Sequence, residues 1–212
     1  IRALQQLDLS QPASTILLNL PQRLADFLAP TRMLLDIALH DLIARQEGIS
    51  VAQLAGADNS ETVSYHTNQT LFWTPMAQML QQATAYVDRG FTQLKLRVGV
   101  ASFEEDEARL SALRRRFGHE ISLSADANGQ WQPEVARSHL ISLAKFDMSY
   151  LEQPVSDANA HYYPALAEAS PVPLMLDESM SSEADLERIL ALNGKIMAHL
   201  KLVKMGGIAP TM

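Results

Sequence analysis

The 212 residues include no cysteine, which excludes disulfides and thiolate metal sites and leaves oxygen and imidazole as the available metal ligands. Basic residues are in the minority, 17 Lys and Arg against 24 Asp and Glu, for a net charge of −7. Nucleic acids and anionic membranes demand a basic face, so neither is expected as a partner. No apolar run approaches the ~18 residues that cross a bilayer, and the N-terminus lacks the basic-then-apolar pattern of a secretion signal. With no cysteine, these absences point to a cytoplasmic protein. An initiator methionine is also missing, and the sequence is expected to be part of a longer polypeptide.

What is present is ordinary for a globular protein, 47% hydrophobic and 19% charged residues. Residues 1–30 carry apolar residues without a clean period. From Pro30 onward Leu34, Ile37, Ala38 and Leu42 fall at helical spacing, with Thr31 placed to cap the helix and Gly48 to end it. Asp36, His40 and Asp41 interrupt that stripe and read as surface or packing residues. A strand is expected at 62–67. Helix and strand signals then alternate. Thr74-Pro75 opens a helix bearing Met76, Met79, Leu80, Ala83 and Val87, and residues 93–98 form the next strand.

The following helix has Glu104, Glu105 and Asp106 in its first turn and Arg114, Arg115 and Arg116 in its last, as the helix dipole favours. The arginine run reads as a solvated helix end. Further strands are expected at 121–126, 148–152, 174–177 and 199–203. Helices between them are marked by Ala136, Leu140 and Leu143, then Tyr162, Leu166 and Ala169, then Leu186, Ile189 and Leu190. Six strands alternating with five helices argue for an α/β fold with a parallel sheet. Polar residues recur at the ends of many strands instead of gathering at one switch point, which favours a (β/α)8 barrel over a doubly wound sheet. About six βα units of such a barrel are present, at 61–212, after a segment at 1–60.

Three carboxylates close successive strands: Asp126, then Glu152 and Asp177, at steps of 26 and 25 residues. One acid at a strand end is more often a helix cap or an ion-pair partner than a ligand. Three of them, flanked by strands carrying cations, suit a hard cation such as Mg²⁺. Lys95 and Arg97 are two apart in one strand and so share a face. Lys201 stands in the last strand with His199 on its face.

These residues resemble the enolase superfamily and, within it, the muconate-lactonizing subgroup of the mandelate racemase and muconate lactonizing enzyme family. The resemblance rests on Lys95-Leu96-Arg97, Asp126-Ala127-Asn128, Glu152-Gln153-Pro154, Asp177-Glu178-Ser179, and Lys201 preceding Lys204-Met205-Gly206-Gly207. It implies Mg²⁺, with Mn²⁺ as an alternative, held by Asp126, Glu152 and Asp177. It also implies Lys201 as acid/base and Lys95 as a holder of the substrate carboxylate. The reaction implied is removal of a proton α to a small carboxylate through an enediolate, as in a cycloisomerase, epimerase, racemase or dehydratase. Residues 1–60 would then be the end of a capping domain and its linking helix, and a homo-oligomer is expected.

Arg97 departs from the subgroup, which places a second acid/base lysine there; a guanidinium, with a pKa above ~12, is a poor proton acceptor. Three readings stand: Arg97 binds or polarises a carboxylate while Lys201 acts alone, it is an activated base, or the parent chemistry has been lost. The first is favoured because the remaining acids and lysines match. His199 reads as a hydrogen-bonding neighbour of the metal ligands, Asn128 and Glu178 as residues that orient their neighbours, and His66, at the tip of the first strand, as a pocket residue. His139 and His161 read as surface. The competing function is a relative that binds a metal or small acid without turnover.

Overall fold

The computed structural model describes residues 1–58, 64–192 and 194–212. The chain divides into two compact units, one of Ile1–Ser64 with Leu200–Met212 and one of Tyr65–His199.

In the first unit, α1 (Ala13–Arg23) buries Ala13, Ile16 and Leu20 at helical spacing. Leu20 and Leu24 form a cluster with Ala3, against which Leu7, Phe27, Leu35 and Leu39 pack. The second helix, α2 (Ala29–Glu47), ends at Gly48 in the left-handed region as expected, but no side chain caps its start, so Thr31 lies inside the helix. Its buried residues are Asp36, His40, Ile43 and Ala44, whereas Leu34, Ile37 and Leu42 are exposed. The expected apolar stripe is therefore displaced, because two polar residues in the true stripe have buried partners. Asp36 Oδ1 accepts the Ile208 amide at 2.6 Å, and the His40 ring nitrogen Nδ1 lies 2.8 Å from the Asp36 carbonyl oxygen. Gly207, at φ +137°, makes this fit possible, since a Cβ there would collide with the Asp36 side chain. A short helix, α3 (Val51–Leu54), opens with a capping box between Ser50 and Gln53.

The second unit is a six-stranded sheet, all parallel, in the order β1 (Gln69–Leu71), β2 (Gln93–Arg97), β3 (Ser122–Asp126), β4 (Leu151–Glu152), β5 (Leu174–Leu176) and β6 (Ile196–Ala198). Between the strands run α4 (Met76–Asp88), α5 (Phe103–Phe117), α6 (Pro133–Leu143), α7 (Tyr163–Ala169) and α8 (Glu183–Leu190). Spatial order equals chain order and never reverses. That is how a barrel winds; a doubly wound sheet starts in the middle and doubles back.

Two strands stand away from their expected positions. Of the strand expected at 62–67, Thr62 and Val63 lie outside the described residues, while 64–68 have no regular structure and β1 begins at Gln69. His66 is thus exposed on the segment entering β1, not at its tip. The last strand is 196–198, and residues 202–205 instead form the short helix α9 (Leu202–Met205). The alternation His199, Lys201, Val203 imitated a strand. Helix α4 likewise begins after Pro75, with no side-chain cap from Thr74.

Apolar and polar positions alternate along β2, β3 and β4. Leu94, Leu96, Leu123, Ala125, Leu151, Leu174, Leu176 and Ile196 are at most 6% exposed, each fully buried leucine contributing roughly 1.5–3 kcal/mol. Parallel sheets covered on both faces usually read as continuous apolar runs. Here the intervening positions are Lys95, Arg97, Ser124, Asp126 and Glu152, so one face is apolar and the other holds charge.

Candidate active site at the strand ends

Strand register builds the site. Arg97 pairs across β2 and β3 with Asp126, Asp126 across β3 and β4 with Glu152, and Glu152 across β4 and β5 with Met175. Met175 pairs in turn with Met197. Asp177 and His199 each stand two residues beyond those methionines, and the period of two returns both to the face of Asp126 and Glu152. The bond from the His199 amide to the Leu176 carbonyl, 2.8 Å, continues the pairing past the strand ends.

Asp126, Glu152 and Asp177 are buried, at 9%, 1% and 6% exposure. Buried charges need partners. Lys95 Nζ donates to Glu152 Oε2 at 2.8 Å, and His199 Nδ1 lies 3.0 Å from Glu152 Oε1. Arg97 donates to Asp126 Oδ2 at 2.6 Å and to Asn128 Oδ1, and the Asn128 amide group donates to Glu178 Oε1. The other oxygen of Asp126 accepts the Asn128 backbone N–H at 2.8 Å.

These partners oppose burial with different outcomes. Burial and the neighbouring Glu152 charge raise the Asp126 carboxyl above its usual range despite Arg97. Burial also works against ionised Glu152, but the hydrogen bonds from His199 and Lys95 outweigh it and hold this carboxyl low. For Lys95, burial favours the neutral amine, and the contact with Glu152 more than restores the ammonium.

Glu152, Asp177 and His199 offer ligand atoms that all lie within 4.8 Å of one another. Three buried carboxylates against Lys95 and Arg97 leave one negative charge in excess among these five groups. The donor set of oxygens and one imidazole, without sulfur, fits a hard or borderline divalent cation. Lys201 belongs to the other unit, where it is the residue before α9. It is not part of a strand.

Sequence reasoning passed over Gln153. Fully buried, with φ +42°, it joins the exits of β4 and β5. Its side-chain Oε1 accepts the backbone amides of Asp177 and Ser179 at 3.0 and 3.3 Å. Its amide group donates to Ser179 Oγ at 2.7 Å and to the Val155 carbonyl at 3.1 Å. Asp177 is thus aimed by a neutral side chain, and a polar residue wedged between a ligand-type acid and proline was the available signal. His139 was misread too: its ring stacks on Phe103 at 3.8 Å, 2° from parallel, instead of facing solvent. Arg114 is no solvated helix end, since it donates to the carbonyls of Phe146, Gly118, Ile121 and Asp147.

The family model for the enolase C-terminal domain-like family matches residues 78–212. The chain belongs to that family. It is 32% identical over 184 residues to an L-Ala-D/L-Glu epimerase of Francisella tularensis subsp. novicida, covering 86% of this chain and 51% of the relative. It is 30% identical over 176 residues to the L-talarate/galactarate dehydratase of Salmonella typhimurium, covering 83% and 44%. The chain therefore spans about half the length of the curated relatives it matches. Among solved structures, the dipeptide epimerase from Cytophaga hutchinsonii complexed with Mg and D-Ala-L-Val superposes with a TM-score of 0.77 at 29% identity, over 85% of this chain and 48% of that one. Muconate cycloisomerase from Pseudomonas fluorescens gives 0.82 at 25% identity, over 94% and 55%. The α/β fold, a six-strand part of a (β/α)8-type barrel, agrees with these neighbours. Among the described residues no helix is long and apolar enough to cross a membrane.

Proposed function

We propose that the chain carries the metal-binding part of an enzyme that removes a proton α to the carboxylate of a small substrate, passing through an enediolate. The observation that carries this reading is the row Arg97, Asp126, Glu152 with Asp177 two residues further along, three buried acids on one face beside two cations of β2. Asp126, Glu152 and Asp177 are the residues that would hold Mg²⁺. When bound, the ion supplies positive charge against that developing on the substrate carboxylate.

The rest of the work falls to side chains. Lys95, kept protonated by Glu152, holds the substrate carboxylate and balances its charge. Arg97 polarises, its guanidinium bound between Asp126 and Asn128. That arrangement favours one-base chemistry, with Lys201 as the proton acceptor, over a two-base racemisation. A one-base cycloisomerisation or β-elimination follows, with isomerisation preferred. The named epimerases and the dehydratase keep both reaction types within reach, and Mg bound to the dipeptide epimerase supports the choice of ion. Residues 1–60 are read as the end of a capping domain with its linking helix.

The deciding experiment incubates the full chain with Mg²⁺ in D₂O and a panel of dipeptides, N-acyl amino acids, proline derivatives and muconates. Deuterium at the α-carbon, lost in Lys201→Ala, is the expected result. Metal binding without exchange or product from any α-proton acid would favour the alternative, a carboxylate-binding relative in which the Arg97–Asp126 pair has replaced turnover.

A further inference from the structure

Strand β2 ends at Arg97, and the chain turns immediately at Gly99. Its φ is +77°, which strains any L side chain, and a Cβ placed there would lie 3.0 Å from the Gln130 side chain, a tight contact. The turn is held from two directions. On the sheet side the Val98 amide donates to the Asp126 carbonyl at 3.0 Å. From beneath, α5 sends two side chains one turn apart. Asp106 Oδ2 accepts the Gly99 amide at 2.7 Å. Arg109 donates to the carbonyl of Arg97 at 3.3 Å and to that of Phe72, just past β1, at 3.2 Å.

Asp106 and Arg109 are each 1% exposed, so two charges have left water at a helix position where leucine would cost less. Neither is fully satisfied by protein: Asp106 Oδ1 and Arg109 Nε are buried with no hydrogen-bond partner among the described residues. Burial pushes the Asp106 carboxyl up to about 6, against the Gly99 amide and the Arg109 charge. A pair this expensive in stability returns something else. What it grips are the two peptides that follow the residue whose guanidinium lies between Asp126 and Asn128.

We propose that Asp106 and Arg109 are positioning residues that set, through the backbone of 97–99, where the Arg97 guanidinium sits on Asp126 and Asn128. The proposal rests on the reading of Arg97 as a site residue. A shift of an ångström at a reacting group costs up to about 100-fold in rate, so a grip on the carbonyl of Arg97 is a direct lever on turnover.

The test uses the full chain with Mg²⁺ and the α-proton exchange assay. Arg109→Lys reaches one carbonyl but not two and is expected to lower kcat about 10-fold with KM within about twofold; Asp106→Asn, which keeps an acceptor for Gly99, is expected to lower it about 3-fold. In an Arg97→Ala background both losses shrink to less than about twofold, because the lever has nothing left to place. Independently of turnover, the Nε–Hε resonance of Arg97 in ¹⁵N NMR shifts and broadens in both variants. Equal losses with and without Arg97, or an unmoved Arg97 resonance, would overturn the proposal. If Arg109→Lys does not fold, Asp106→Asn decides alone. If the wild type exchanges no proton, the proposed function fails, and the Arg97 resonance still decides the positioning claim.

Discussion

The two flanks of the carboxylate row are built from different materials. On the β2–β3 flank, charge holds charge: Arg97 on Asp126 and Lys95 on Glu152, with Asp106 and Arg109 buried behind the turn. On the β4–β5 flank, the neutral amide of Gln153 aims Asp177 through backbone bonds, and His199 leans on Glu152. Charged supports gain strength in a low-dielectric interior but answer to pH and to every ion that enters. A neutral hub has no such dependence. The contrast separates a part of the site that answers to charge from a part that does not.

Glu152 belongs to both flanks, and removing it should have the largest effect. Glu152→Gln leaves Lys95 buried without its counter-charge and is expected to lower α-proton exchange on the order of 10³-fold. Isothermal titration with Mg²⁺ should then show no binding; tight binding would end the idea that this acid is a ligand.

The charged flank should also write itself into pH-dependent stability. The carboxyl of Asp106 is raised from 3.8 to about 6 on folding, so the folded state binds its proton more tightly than the unfolded state does. That contribution is fully present below pH 3.8 and is lost as pH rises through about 6, a loss of up to ~3 kcal/mol. Urea unfolding between pH 4 and 7 should show this fall in the wild type and a flatter profile in Asp106→Asn. Identical profiles would mean that the carboxylate is not strained by burial.

On the neutral flank, Gln153→Ala strips partners from the amides of Asp177 and Ser179 and should cost about 2 kcal/mol. The cost should be the same at pH 5 and pH 7, and a pH-dependent cost would erase the distinction between the flanks. The smallest effect is expected at the far end. His199→Asn should weaken Mg²⁺ binding about 10-fold, as loss of a group bonded to a ligand does. A much larger loss, with altered preference between Mg²⁺ and Mn²⁺, would make the imidazole a ligand in its own right.

Much of this arrangement is readable in the order of residues alone. Acids that close short apolar runs do lie at the ends of β3 and β4 and just beyond β5, and the two-residue spacing of Lys95 and Arg97 does put them on one face. Periodicity carries that information directly. It failed where polar residues do the packing. In α2 the buried stripe runs through Asp36 and His40, so counting apolar residues selected the wrong side. It failed again at 199–203, where the alternation runs into a loop and helix start, and this moved Lys201 off the strand. Gln153, Asp106 and Arg109 are harder to read because their role is to bond backbone groups on other elements. Only the folded register brings those groups within reach.

The alternation along β2, β3 and β4 gives the chain two interleaved scripts. Positions 94, 96, 123, 125, 151, 174 and 176 specify that the sheet exists, and positions 95, 97, 126, 152 and 177 carry the charged groups of the candidate site. Substitution within the second set keeps the apolar face but must keep the buried charges paired, as Lys95 is by Glu152. Insertion or deletion of one strand residue exchanges the two scripts and loses both. Replacements on the charged face of this sheet therefore come in charge-matched pairs, while its strand lengths stay frozen.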